Sequence, residues 1–449
     1  MNLLEKSVQD IKKEYENGNI TVAVFGLGKM GLPLASVFAD KGAKIIGVDI
    51  DEIVVEKLNQ GVNHILEEPG LSELIAKNVD SGRFEATTDG IFAAEEADIC
   101  VIIVPTLTDD RGNVKLGPVF DVTKTISKGL KPGNIVITEA TMPPGTTEKL
   151  VPILEESGLK LGEFGLGHAP ERTMTGTAIR DILGQYPKII GANDERTLRV
   201  LRGMYELVNS KGVVEMADII SAEAVKVFEG VYRDVNIALA NELAKYCGIK
   251  GINALKTFEA ANTQDFCYIH EPGAGVAGHC IPVYPWFVIN QTENGGSKLL
   301  QTARDINDSM PYHMVDLVLE GLNELGRPLK GSNVMILGLT FRGGVREFMK
   351  TPAKPVIRKL KQWGANVYAY DPMCNNGDAE RFGAEWKEDL SGMDAIVVLT
   401  NHSEFKDIKL DEIDLRTKLV VDGRNVFERK NIEQMGFIYK SVGNGCKKA

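Results

Sequence analysis

Apolar residues fall along this chain in two alternating patterns: short unbroken runs, and longer stretches in which they recur every three or four positions. Residues 3–17 are polar with apolar positions at helical spacing, which predicts a short leading helix. Thr21-Val-Ala-Val-Phe25 is a continuous apolar run, as a parallel strand covered on both faces requires. An apolar helix is predicted over 32–41 and a second strand over Lys44-Ile-Ile-Gly-Val-Asp49. Further strands are predicted over 98–104, 134–139 and 187–191, the last taken to close the first domain, and a turn over 166–172. Residues 217–246 hold no proline and keep helical apolar spacing, so they predict a helix spanning about 45 Å. A helix that long predicts a spine between domains and a surface for pairing two copies. Its polar residues Lys226, Glu229, Arg233, Asp234, Asn236, Asn241 and Glu242 read either as a solvated face or as functional groups. Another helix is predicted over 297–325, and the pattern resets near 329–332. Strands at 333–339, 366–371, 394–400 and 418–422 follow, with a helix over 353–363. The tail from Gly443 to Ala449 is expected to fray.

The junction after the first strand gives this α/β rhythm a chemistry. Gly26-Leu-Gly28-Lys-Met-Gly31 follows a strand and opens a helix. Gly26 permits the tight turn, Gly28 lets backbone approach a pyrophosphate, and Gly31 allows close helix–strand packing. The helix start supplies N–H groups and a positive dipole for phosphate, with Lys29 and Met30 inside the turn. Asp49 ends the second strand at the distance from which an acid binds ribose hydroxyls, which favours NAD over NADP. Ligands of open α/β sheets sit at the carboxyl ends of strands, so Thr106 and Thr141, just past two of them, are candidate polar contacts. The fold expected is α/β: an N-terminal Rossmann-like NAD domain (1–205), a central helical domain with the long helix (206–328), and a C-terminal Rossmann-like domain (329–449) that lacks a full glycine fingerprint.

Gly273-Ala-Gly-Val-Ala-Gly-His-Cys-Ile-Pro-Val-Tyr-Pro-Trp286 sits between the two α/β halves. A thiol on a glycine-rich loop is either a structural cysteine on a turn or a nucleophile. Composition narrows the rest. Hydrophobic content of 43% and charged content of 25% are ordinary globular values. A net charge of −11 and a pI near 5.3 argue against a general nucleic-acid or anionic-membrane binder. No apolar run reaches the roughly 18 residues that span a bilayer. The N-terminus carries no apolar signal core, so a soluble cytoplasmic protein is expected. The six cysteines (Cys100, Cys247, Cys267, Cys280, Cys374, Cys446) and six histidines are scattered, which predicts neither a disulfide framework nor a metal site.

Eight segments together resemble the UDP-glucose/GDP-mannose dehydrogenase family across roughly residues 19–440. They are Gly26-Leu-Gly-Lys-Met-Gly31, Val104-Pro-Thr106, Glu139-Ala-Thr-Met-Pro-Pro-Gly-Thr146, Ala169-Pro-Glu-Arg172, Tyr232-Arg-Asp-Val-Asn-Ile-Ala-Leu-Ala-Asn-Glu242, Gly278-His-Cys-Ile-Pro282, Tyr370-Asp-Pro372 and Asp422-Gly-Arg-Asn425. The fifth and sixth are similar to the branch that acts on UDP-N-acetylhexosamines. The resemblance implies oxidation of a sugar C6 alcohol to a carboxylate with two NAD, here on UDP-N-acetyl-D-mannosamine, with UDP-N-acetyl-D-glucosamine as the alternative. By the same resemblance Cys280 is the nucleophile, Lys226 stabilises oxyanions, Glu171 serves thioester hydrolysis and Thr141 orders water. Gly26, Gly28, Lys29, Met30, Gly31, Asp49, Thr106, Thr141 and Arg424 are implied for the cofactor. Glu171, Arg172, Lys226, Arg233, Asn236, Gly275, Gly278, His279, Phe341 and Arg342 are implied for the substrate, UDP for the C-terminal domain, and a homodimer for the assembly. The sequence departs from the family pattern at Gly230 (usually asparagine), Tyr284 (usually aspartate), Phe266 and Met349 (usually arginine), and Arg342 (often lysine). Gly230 and Tyr284 favour a different reading, a catalytically impaired NAD- and UDP-sugar-binding paralogue; Cys280, Lys226, Glu171 and Thr141 favour an enzyme.

Overall fold

The computed structural model describes residues 1–109, 112–292 and 296–443, so Cys446 and the tail beyond Gly443 lie outside the described residues. The chain forms two compact units, Met1–Glu229 and Gly230–Ala449.

The first unit is built on eight strands: β1 (Thr21–Phe25), β2 (Lys44–Val48), β3 (Phe84–Thr87), β4 (Ile99–Ile102), β5 (Ile135–Thr138), β6 (Gly165–His168), β7 (Lys188–Ala192) and β8 (Val213–Glu215). Their spatial order is β8-β7-β6-β5-β4-β1-β2-β3. The pairs from β3 to β6 are parallel, β6–β7 is antiparallel and β7–β8 parallel. The 3-2-1-4-5-6 order is that of a doubly wound dinucleotide fold. Strands β4 and β5 are buried at every position, because helices cover both faces of the sheet. One face packs on Leu32, Phe38, Ile75 and Leu201, the other on Ile126, Leu150 and Phe164. Helix α1 (Gly31–Asp40) is apolar all round and is buried from Gly31 to Ala39. The leading helix is split into a 3-10 turn, Leu3–Glu5, and an α-helix, Val8–Glu16, whose start is capped by Ser7 accepting the Asp10 N–H at 3.2 Å.

Two strands differ from the expectation. β6 lies where a turn was predicted, and all four of its residues are buried. Its glycines are the reason: a Cβ on Gly165 would lie 2.5 Å from Thr197 Oγ1, and one on Gly167 2.8 Å from Leu201 Cδ2. The neighbouring helix therefore packs straight onto bare backbone, a use of strand glycine that periodicity does not signal. β8 extends the sheet beyond β7, which was expected to be the last strand.

The long helix α2 (Ile219–Lys250) runs for 32 residues and passes from the first unit into the second. The second unit adds α3 (Tyr284–Ile289) and α4 (Lys298–Glu324). Its sheet has β9 (Asn333–Leu337), β10 (Asn366–Tyr370), β11 (Glu385–Trp386), β12 (Ala395–Val398), β13 (Leu419–Asp422) and β14 (Ile438–Ser441). The order β11-β10-β9-β12-β13-β14 repeats the 3-2-1-4-5-6 arrangement, here wholly parallel. α4 covers one face through Met310, Met314, Val318 and Leu322. A buried polar chain ties α2 to α4: Asp234 pairs with Arg304, Asn307 donates to Asp234 at 2.8 Å, and Asn241 donates to Asn307 at 2.9 Å. The polar residues of α2 thus divide, with Asp234 and Asn241 fully buried and Arg233 and Glu242 exposed. Among the described residues no helix is long and apolar enough to cross a membrane.

Candidate active site

The glycine turn sits where the strand order of the first sheet reverses. Gly26 has φ +104°, and a Cβ there would lie 3.0 Å from the Ile103 carbonyl oxygen that follows β4. Gly31 is tighter still, since its Cβ would fall 1.9 Å from the Gly26 carbonyl oxygen. Gly28 is the opposite case: a Cβ there would meet nothing within 4 Å. Open space over bare backbone, beside a helix start that no side chain caps, fits a pyrophosphate. Asp49 accepts the Leu27 N–H at 2.9 Å through one oxygen and the Asp51 N–H at 3.1 Å through the other, and stays half-buried. Its carboxylate therefore braces the turn while staying partly exposed. Lys29 pairs with Glu67 at 3.3 Å. These residues fit NAD.

The other expected residues of this unit gather behind the turn. Thr106 Oγ1 donates to the Thr141 carbonyl at 2.7 Å, joining the ends of β4 and β5. The Thr173 hydroxyl reaches the Met30 sulfur at 3.2 Å, which seats the segment after Glu171 on the glycine turn. Glu171 itself accepts the Thr173 N–H. Arg172 pairs with Glu229 of α2 at 2.5 Å, donates to the Pro187 carbonyl at 3.1 Å, and stacks 4.8 Å above the Tyr186 ring. Beneath them lies Glu139, fully buried, 2.5 Å from Lys188 and hydrogen-bonded to the Tyr205 hydroxyl. Burial raises the Glu139 carboxyl although Lys188 opposes it. A cavity of about 20 Å³ separates this pair from Glu171 and Arg172, roughly the room of one water.

Glu223 carries little signal in the sequence. It is 1% exposed, and it accepts the Gly145 N–H at 2.5 Å, the Thr147 N–H at 2.8 Å and the Thr147 hydroxyl at 2.6 Å. Thr147 continues to Thr138 and Thr138 to His168 Nδ1, each at 2.8 Å. The start of α2 is thereby tied to the turn that follows Thr141, and Lys226, 9% exposed, stands three residues further along the helix. The only sequence signal was a carboxylate beside apolar positions near a helix start. Burial pushes His168 down to about 3, so its ring is neutral.

In the second unit the loop holding Cys280 is fastened along its length. Asn241 accepts the Gly273 N–H at 2.9 Å, and the Ala274 N–H reaches the Gly423 carbonyl at 3.0 Å. Arg424, expected among the cofactor residues, lies in this unit and donates to the carbonyls of Leu399 at 3.0 Å and Gly275 at 3.4 Å. Pro311 sits where a Gly275 Cβ would crowd it at 3.2 Å, and the Phe341 ring lies 3.4 Å from the corresponding point on Gly278. Arg342 stacks 5.6 Å from the Phe341 ring. Asn236 donates to the Tyr268 carbonyl at 2.6 Å and accepts the His270 N–H at 2.8 Å. Arg233 and His279 are exposed. Among the described cysteines Cys280 alone is exposed, whereas burial pushes the Cys100 thiol up to about 12. Of the departures from the family pattern, Phe266 is 94% exposed and Met349 offers its carbonyl to the Gly278 N–H at 2.9 Å. Gly230 and Tyr284 meet: a Cβ on Gly230 would lie 2.4 Å from Tyr284 Cδ2. Glycine inside a helix is disfavoured by about 1 kcal/mol relative to alanine, so its place here answers to packing.

A dinucleotide turn at one switch point, a second sheet of the same order and an exposed thiol on a braced loop define a nucleotide-dependent oxidoreductase architecture. Family models match across the chain: the UDP-glucose/GDP-mannose dehydrogenase NAD-binding domain at 20–209, the central domain at 220–309 and the UDP-binding domain at 335–429. A UDP-N-acetyl-D-mannosamine dehydrogenase of Methanococcus maripaludis is 36% identical over 447 residues, covering 97% of this chain and 98% of the relative. The solved UDP-N-acetyl-D-mannosamine dehydrogenase of Pyrococcus horikoshii superposes with a TM-score of 0.87 at 32% identity, covering 95% of this chain and 100% of that one. An NDP-N-acetyl-D-galactosaminuronic acid dehydrogenase of Methanosarcina mazei superposes with a TM-score of 0.83 at 32% identity, covering 98% of both chains. The chain belongs to the UDP-glucose/GDP-mannose dehydrogenase family and is an NAD-dependent UDP-sugar dehydrogenase.

The glycine turn predicts a contrast. Gly28→Ala weakens NAD binding about tenfold with an unchanged thermal midpoint, because its methyl enters open ligand space. Gly31→Ala, driven into backbone, lowers the midpoint as well. Calorimetric titration and thermal melts read both; unaltered NAD affinity in Gly28→Ala removes that glycine from the phosphate site. His168 predicts a pH effect. Its pKa is about 6.5 unfolded and about 3 folded, so between these values only the unfolded chain takes up the proton. Stability from the neutral ring is complete above pH 6.5 and is lost as pH falls toward 3. Between pH 7.5 and 5 the wild type should lose about 2 kcal/mol more than His168→Gln in urea unfolding. Equal losses refute the assignment.

Proposed function

We propose that this dehydrogenase oxidises the C6 hydroxyl of UDP-N-acetyl-D-mannosamine to the carboxylate, with Cys280 as nucleophile. The observation that carries the mechanism is the exposed thiol of Cys280 on a loop held by hydrogen bonds at Gly273, Ala274, Gly278, Val283 and Tyr284. The relatives named as UDP-N-acetyl-D-mannosamine dehydrogenases support the substrate. Bound at the glycine turn, NAD would supply the hydride acceptor for oxidation at C6, two molecules per sugar. The Cys280 thiolate adds to the C6 aldehyde, and Lys226 stabilises the oxyanion that forms. Loss of the second hydride from the thiohemiacetal leaves a thioester on Cys280. Glu171 and Thr141 orient the water that adds to the thioester carbonyl, and the C–S bond breaks to return the thiolate. The sum is alcohol, water and two NAD+ giving carboxylate, two NADH and three protons.

In this reading residues 1–205 hold NAD through Gly26, Gly28, Lys29, Met30, Gly31, Asp49, Thr106 and Thr141, and 206–328 carry the catalytic loop. Residues 329–449 hold UDP, with Phe341 and Arg342 on the substrate. Arg172, Arg233, Asn236, Gly275, Gly278 and His279 complete the sugar and phosphate contacts, and Arg424 the cofactor set. The enzyme acts in the cytoplasm as a homodimer. Half-exposed Phe228, Tyr232, Leu239 and Tyr246 along α2 support pairing of two copies, since apolar surface on a helix seeks a partner.

A panel of UDP-N-acetylhexosamines differing at C2 and C4 tests the substrate. UDP-N-acetyl-D-mannosamine should yield two NADH per sugar and a higher kcat/KM than UDP-N-acetyl-D-glucosamine or UDP-N-acetyl-D-galactosamine. Preference for UDP-N-acetyl-D-galactosamine, which differs from the mannosamine sugar at both C2 and C4, moves the enzyme to the galactosaminuronate relatives, and silence with every sugar despite NAD binding removes the enzymatic reading. Cys280→Ser should abolish acid formation; acid made at the wild-type rate rules out the thioester route. Light scattering should report twice the chain mass at micromolar concentration, and a monomer there ends the dimer proposal.

A further inference from the structure

Gly230 and Tyr284 are separated by 54 positions, yet they form one packed pair. Tyr284 is 7% exposed, and its ring lies on α2 where Gly230 has no side chain. A Cβ at Gly230 would stand 2.4 Å from Tyr284 Cδ2 and 3.2 Å from its Cβ and Cγ. Real carbons do not approach so closely, so the ring occupies the volume that any other residue at 230 would fill. Tyr284 is also the first residue of α3, and its ring leans on Phe287 of the same helix with centroids 5.5 Å apart. The turn into α3 starts at Cys280, whose carbonyl accepts the N–H groups of Val283 and Tyr284, each at 3.0 Å. On the other side of the cysteine, the Gly278 N–H is held by the Met349 carbonyl at 2.9 Å. Cys280 thus has a fixed backbone on both sides and an exposed side chain.

We propose that Tyr284 is a positioning residue: its ring, seated on the bare backbone of Gly230, fixes the first turn of α3 and so sets where the Cys280 thiol stands. The step from there to activity rests on the reading of Cys280 as the nucleophile. The work is done by the ring's shape, so the hydroxyl is not what the reaction requires of this residue.

Gly230→Ala is the direct probe, because alanine favours the helix and only the seat is lost. It should lower kcat by about tenfold to a hundredfold, with KM for the sugar within about threefold and only a small fall in the thermal midpoint, because helix propensity offsets part of the overpacking. The rate at which iodoacetamide alkylates Cys280, followed by peptide mass spectrometry, should change with it. Tyr284→Ala should show the same kcat loss, and Tyr284→Phe should rescue it. Adding Tyr284→Leu to Gly230→Ala should recover part of the activity, since the clash is gone, and a double-mutant cycle reads the coupling. Wild-type kcat and alkylation rate in Gly230→Ala overturn the proposal, as does a Tyr284→Phe enzyme as poor as Tyr284→Ala. The two readings fail separately. If Cys280→Ser is active while Gly230→Ala still alters Cys280 alkylation, the nucleophile reading falls and the seat remains. If Cys280→Ser is dead and Gly230→Ala behaves as wild type, the seat falls alone.

Discussion

In each sheet a single aspartate at the end of the second strand holds the backbone of the turn that follows the first. Asp49 takes the Leu27 N–H and Asp371 takes the Leu339 N–H, at 2.9 and 2.8 Å. A parallel sheet ends in backbone donors with no further strand to receive them, and a buried donor left unmet is costly. One carboxylate answers that need and fixes the turn at the point where strand order reverses. The flanking contacts repeat as well: Gly26 to Val48 and Gly338 to Tyr370, at 2.8 and 2.9 Å. Both turns open with a positive-φ glycine pressed against the strand across the switch point, Gly26 on Ile103 and Gly338 on Thr400.

The two aspartates then part company. Asp49 remains half-buried. Asp371 is fully enclosed and also receives the Thr340 hydroxyl at 2.9 Å and His402 Nε2 at 3.1 Å. Burial alone would raise its carboxyl, but the hydrogen bonds from His402 and Thr340 hold it well below the usual carboxylate range. One architecture thus carries a carboxylate left partly exposed and another wholly committed to its own protein. The family-model match of the second to a UDP-binding domain accords with a nucleotide held there by other means.

The contiguous features were the legible ones. The first sheet's turn could be read from eleven adjacent positions, because strand, glycines and helix start follow one another without interruption. β6 was lost to its own glycines, which look like a turn until Thr197 and Leu201 are seen against them. The polar face of α2 could not be sorted by period alone. Asp234 and Asn241 are buried because Arg304 and Asn307 arrive from a helix more than sixty residues later. Glu223 is illegible for the same reason, since its partners lie 76 and 78 residues before it. In the sequence Gly230 and Tyr284 stand as isolated departures, and only their contact makes them one feature.

That contact also constrains the order in which such a pair can arise. A glycine at 230 facing a small residue leaves a cavity, and cavities are tolerated at a graded loss of stability. A tyrosine facing anything larger than glycine leaves no room for the ring, and overpacking forces the backbone to move. An ancestral chain could therefore accept the glycine first and the tyrosine second, but not the reverse. Once the ring is in place the glycine can no longer revert alone. The pair works as a ratchet, and a lineage that has taken both steps keeps them together.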